Sequence, residues 1–196
     1  MMVPGGLAQT ALVPSPSCGI TDLAGAYEVP EAARRELSCG AGWEGRWEVS
    51  WRRDGVVAVS RVSDLGQALA GECQPWRHFT WRTGQRHRPG LQFLVSTGRN
   101  HGFESLEEQR FLLALDFAGG VTGVVSQPFR LRAGTAAGGR EHVPDFLAFT
   151  REGVHLVDVR PRDLIRDDDG VLFAAAAGWR WRPGGGTRWS AAGART

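Results

Sequence analysis

The stretch HVPDFLAFTREGVHLVDVRP, from His142 to Pro161, holds two carboxylates, Asp145 and Asp158, and an arginine two residues after the second. Side chains two apart on a strand share a face, so an extended run here points Asp158 and Arg160 the same way. A hairpin with an even loop, such as Glu152-Gly153, brings Asp145 to that face and sets it opposite Arg160. An odd loop needs a bulge to do the same. Two acids on one face repel unless something neutralises them. A hard cation does so, and Mg²⁺ is usually held by one or two carboxylates with water and phosphate oxygens. Such an ion polarises a phosphodiester and lowers the pKa of a bound water. A neighbouring cationic side chain stabilises the charge that develops. The plainer account is a hairpin in which Arg160 pairs with one of the aspartates, and the hairpin taken alone favours it.

Residues upstream shift that balance. Glu104 and Glu108 are four apart and lie on one face of any helix that includes both. Ser105 and Glu108 also have capping-box spacing, which is by itself reason enough for a glutamate there. The order is then helix with Glu, strand, strand with Asp, strand with Asp-x-Arg, which is the order of a PD-(D/E)xK nuclease core. The proline before Asp145 supplies the literal PD.

A second feature precedes this block. The window from Cys73 to Phe103 contains no Asp or Glu, and it carries Arg77, Arg82, Arg86, Arg88 and Arg99 interleaved with Trp76, Phe79 and Trp81. Positive charge among aromatics suits phosphate contact and base stacking. On composition alone, a solvated basic surface whose tryptophans belong to the core is the better reading.

These residues need elements to position them. WEGRWEVSWRRDGVVAVSRV alternates as strands do, most clearly after Gly55. ESLEEQRFLLALDF reads as a helix with an apolar side of Leu106, Leu112, Leu113 and Leu115. VTGVVSQPFRL reads as one strand, AGTAAGG as a flexible loop, and HVPDFLAF, REG, VHLVDVR as strand, turn, strand. A short helix follows over 162–177, then a strand at GWRWRP. The domain reading is a flexible arm over 1–40, a folded domain over 41–182 with its core at 100–182, and a disordered tail over 183–196.

The 196-residue length suits one good core. The net charge is only +2, so bulk charge demands no nucleic-acid partner. All 23 basic residues are arginine, so a position that wants lysine has none. Cys18, Cys39 and Cys73 lie far apart without zinc-ligand spacing, which points to a reducing cytoplasm. No signal peptide and no membrane span is expected.

HGFESLEEQRFLLALDF, then VTGVVSQPFRL, then HVPDFLAFTREGVHLVDVRP resemble the TnsA-like endonuclease subunit of heteromeric transposases, in the PD-(D/E)xK superfamily. The resemblance covers roughly residues 76 to 182. It implies an α/β fold, a mixed sheet flanked by helices with a restriction-endonuclease-like core. It implies a Mg²⁺-dependent DNA endonuclease, with Mn²⁺ able to substitute, that cuts the 5′ strands at transposon ends. Implied partners are transposon-end DNA, a DDE-type transposase that cuts and joins the 3′ strands, and an ATP-dependent regulator. Glu108, Asp145 and Asp158 match the metal-binding and catalytic acids, and Arg160 stands where the motif has lysine. Glu104 matches a reserve acid and Gln127 a supporting residue. Arginine binds phosphate but does not reproduce a compact ammonium. A catalytically impaired DNA-binding or complex-forming subunit with the same fold is therefore the alternative.

Overall fold

Asp54 and Gly55 both take positive φ, 51° and 76°. Two such residues make the tight turn that matches the twist of paired strands. Strands β1 (Glu48–Arg53) and β2 (Val56–Arg61) close around it, as the alternating pattern predicts. The structure is a computed structural model that describes residues 20–23, 28–65, 73–77, 88–151, 153–161, 164–178 and 188–192. Two short helices, α1 (Ile20–Leu23) and α2 (Glu31–Arg35), come first. After β2 the described chain continues with β3 (Gly90–Leu94) and β4 (Arg99–Phe103), then α3 (Leu106–Ala118). Next come β5 (Val121–Ser126), β6 (Arg130–Thr135), β7 (Gly138–His142), β8 (Phe146–Thr150) and β9 (Gly153–Val159). Helix α4 (Asp167–Gly178) and β10 (Arg188–Ala192) complete the set.

The fold is α+β. One four-stranded sheet has the order β2-β1-β6-β7, a second has the order β10-β9-β8-β5, and β3-β4 is a separate ribbon. The second sheet is mixed, because β10 runs parallel to β9 while β8 is antiparallel to both β9 and β5. Its two faces are both covered. Phe146, Ala148 and Val157 pack with Phe111, Leu112 and Leu115 of α3. Leu147 and Leu156 pack the other way, with Val49 and Leu131 of the first sheet, Trp47 just before β1, and Ala175 and Ala176 of α4. Burial on both sides explains why VHLVDV reads as a nearly continuous apolar run.

Several elements differ from the sequence reading. VTGVVSQPFRL is not one strand. It breaks at Gln127-Pro128, and β5 and β6 belong to different sheets. A proline cannot donate to a ladder and restricts the residue before it, so the chain turns a corner there. AGTAAGG is not an open loop: Thr135 pairs with Gly138, closing a β6–β7 hairpin around residues 136–137. Of the arm expected at 1–40, Val29 and Ala33 are buried with Val171 and Phe173 of α4, and Leu37 bridges to Thr135. Within the tail expected at 183–196, Arg188–Ala192 add the parallel strand β10. The strand expected at GWRWRP lies almost wholly outside the described residues. No helix among the described residues is long and apolar enough to cross a membrane.

Candidate active site

Local register decides where the acids meet. In the β8–β9 hairpin Thr150 pairs with Gly153 and Phe146 with Val157. Gly153, at φ 135°, therefore already belongs to the strand. Carrying the register one step further sets Asp145 opposite Asp158. The Glu152-Gly153 loop, which would set Asp145 opposite Arg160, does not form. On the other side of β8, Ser126 pairs with Phe146, and the next step sets Gln127 beside Asp145. The Gln127 N–H donates to the Asp145 carbonyl at 2.7 Å. One cross-strand row thus runs Gln127, Asp145, Asp158, and continues to Ala191 of β10.

A carboxylate held in a nearly dry position beside another acid resists ionisation. Asp158 is 4% exposed. The pKa of Asp145 is pushed well above the ordinary aspartate value, first by burial, then by the charges of Asp158 and Glu108. The Val159 N–H, which donates to Asp145 Oδ2 at 2.7 Å, pulls the other way without prevailing. Glu108 is raised too, by burial first, against hydrogen bonds from the Glu104 N–H and the Ser105 hydroxyl.

Glu108 is at the same time a working capping residue. Its N–H donates to Ser105 Oγ at 3.2 Å, Ser105 Oγ donates to its Oε1 at 3.0 Å, and the Glu104 N–H donates to its Oε2 at 2.8 Å. Both carboxylate oxygens are engaged at the start of α3 while the group still contributes to the field at Asp145. Glu104 lies at the edge of the cluster, where Arg77 approaches its Oε2 at 3.5 Å. The capping reading of Glu108 is therefore realised in the fold, and its charge also reaches Asp145.

Arg160 pairs with neither aspartate. Its guanidinium donates to Asp169 Oδ1 of α4 at 2.8 Å. Asp169 also accepts from the Arg166 N–H at 3.0 Å, which closes the first turn of α4. Together these contacts hold the Asp169 carboxyl below its usual range against the opposing effect of burial. Arg160 is about half exposed, so Arg160→Ala is expected to lower stability by no more than about 1 kcal/mol in urea denaturation.

The partner that the sequence reading missed is His142. Its Nε2 lies 2.9 Å from Asp158 Oδ1 with both side chains largely buried, an ion pair whenever the ring is protonated. No hydrogen bond is made by His142 Nε2 among the described residues, so the contact is one of charge. His142 ends β7, and its ring meets the edge of Phe173 of α4. A signal was present in the sequence. His142 opens the HVPDF run three residues before Asp145, and Val143-Pro144 turns the chain between them.

Gln127 is the other unusual residue. It is 2% exposed, has φ 46°, and neither end of its side-chain amide has a hydrogen-bond partner among the described residues. A strained conformation costs on the order of 1–3 kcal/mol, and an unpaired buried polar group costs about the same again. Its backbone carbonyl accepts from the Trp76 N–H at 2.8 Å. Arg130 stacks over the Trp76 ring at 4.7 Å. The start of the basic window is thereby tied to the acid row. Arg77, Arg88 and Arg99 are exposed. Arg82 and Arg86 lie outside the described residues.

Among the described residues no three His, Cys, Asp or Glu side chains stand together at metal-holding spacing. The Asp145/Asp158 pair still suits a hard divalent cation. Its donors are oxygen, the two acids raise each other's cost of ionisation, and Mg²⁺ commonly takes only one or two carboxylates and completes its shell with water and phosphate. The amide of Gln127, beside Asp145, is a further buried polar group without a partner among the described residues. No protein-family model matches the chain, and no curated protein is similar to it.

Proposed function

We propose that this protein is a divalent-metal-dependent DNA endonuclease with a restriction-endonuclease-like core. Its part in a heteromeric transposase is to cut the 5′ strands at transposon ends. The observation that carries the reading is the cross-strand row that sets Asp145 against Asp158 within the field of Glu108. The order α3, β5, β8, β9, with its acids on the helix, the second strand and the third, supports the same reading. Mg²⁺, or Mn²⁺ in its place, would be held by Asp145 and Asp158 and would supply a polarised phosphate and an activated water. Glu108 contributes negative charge at the mouth of the row. Arg77 and the exposed Arg88 and Arg99 contact backbone phosphates, which makes DNA affinity fall with added salt. The partners are transposon-end DNA, a DDE-type transposase and an ATP-dependent regulator.

A second reading has its own support. Arg160 is occupied by Asp169, and both oxygens of Glu108 are occupied by the helix cap. These engagements favour a subunit kept for DNA contact or assembly. Strand cleavage of transposon-end DNA with Mg²⁺ or Mn²⁺ and the partner transposase decides between the two. Under the nuclease reading 5′-strand cuts appear with wild type and vanish with Asp145→Ala. Under the second, neither protein yields them while the 3′ cuts persist.

Glu108→Gln separates the glutamate's two jobs, because glutamine also serves a capping box. The variant is expected to melt within about 1 kcal/mol of wild type and to cleave roughly 10-fold or more slowly. Cleavage at the wild-type rate would leave Glu108 as a cap and nothing else.

A further inference from the structure

Gln127 is costly where it stands. Glycine would take φ 46° without strain, and a small apolar side chain would leave no polar atom unpaired. Instead the corner carries a buried carboxamide whose donor and acceptor are both unused among the described residues, at the position whose N–H donates to the Asp145 carbonyl. Backbone contacts alone do not account for it. The N–H to Asp145 and the carbonyl from Trp76 are main-chain bonds that glycine would also make. Among the described residues nothing takes either end of this side chain, which leaves both ends open to a small partner. A site of this exposure admits only something small, and one end of an amide donates while the other accepts. Water meets both demands, and water completes the shell of a divalent cation held by few carboxylates.

We propose that the Gln127 carboxamide is a positioning group of the acid row, holding through its two ends the water that hydrates a divalent cation on Asp145 and Asp158. The inference rests on the nuclease reading and gives Gln127 a specific task within it. Groups that orient metal-bound water typically change metal affinity by roughly 10–100-fold when removed. The same corner links that water to Trp76 and so to the first arginine of the basic window.

The test uses the full chain, Mn²⁺ as the probe, and Gln127→Gly, Gln127→Asn and Asp145→Ala beside wild type. Melting temperature is read without metal, and Mn²⁺ affinity by calorimetry. Gln127→Gly is expected to melt at or above wild type and to bind Mn²⁺ roughly 10-fold more weakly. Gln127→Asn, which tolerates positive φ and keeps a shorter amide, falls between them. A glycine variant with wild-type Mn²⁺ affinity overturns the proposal. So does one that melts well below wild type, because the side chain would then be kept for packing. In both cases, wild-type binding that Asp145→Ala abolishes leaves the nuclease reading standing. Wild type that binds no Mn²⁺, or binds it no better than Asp145→Ala, removes that reading and this inference together.

Discussion

Asp145→Asn is expected to lose strand cleavage by on the order of 10³-fold or more and, without metal, to melt at a higher temperature than wild type. The two effects have one cause. Burial and the neighbouring charges of Asp158 and Glu108 make an ionised Asp145 unfavourable in the fold. Asparagine keeps the oxygen that accepts from Val159 and removes the charge. It also removes the hard donor that a divalent cation needs. The pH dependence follows from the sign of the shift. The folded state holds the Asp145 proton more tightly than the unfolded state does. Metal-free stability therefore declines as pH rises from the ordinary aspartate value through the raised one, and the penalty is complete above it. The asparagine variant lacks this component of the decline. Added Mn²⁺ reverses it in wild type alone. Thermal melts across pH, with chelator and with Mn²⁺, measure all of this. A metal-free variant less stable than wild type at neutral pH would show that the carboxylate is tolerated in the row.

The neighbouring position has the opposite sign. Phe146→Ala is expected to cost about 3–5 kcal/mol, out of the roughly 5–15 that hold a typical domain. Phe146 is fully buried and stacks on Phe111 of α3 with ring centroids 5.7 Å apart. It joins the helix that carries Glu108 to the strand that Asp145 opens. Truncation leaves a cavity between α3 and the second sheet, and rigid strands on both sides of β8 limit collapse into it. Urea denaturation gives the loss directly, from the shift in midpoint at unchanged slope. Cleavage by the remaining folded fraction is expected to fall as well, because the cavity lies where the glutamate's helix meets the aspartate's strand. A loss below about 1 kcal/mol would mean that this contact does not anchor the helix to the sheet.

Much of this architecture follows from local sequence alone. Asp54-Gly55 selects its turn by backbone sterics, and Ser105 with Glu108 starts α3 by pairing orphan helix N–H groups. The apolar run of β9 signals a strand buried on both faces, and two aspartates near the ends of a hairpin are legible as a pair. These are short-range effects, set by φ/ψ preference, hydrogen-bond satisfaction and periodicity. What required the tertiary structure is which groups the acids face. A one-residue difference in loop placement moved the partner of Asp145 from Arg160 to Asp158, because strand pairing has a period of two. Arg160 was drawn to Asp169 by a helix about ten residues further on, and His142 came to Asp158 from the end of another strand. Pairings of that kind depend on how two sheets and a helix pack, and residue spacing along a chain carries no record of it. The strain and burial of Gln127 belong to the same class. A Gln-Pro step reads as the middle of a strand until the chain is seen to pass from one sheet to the other.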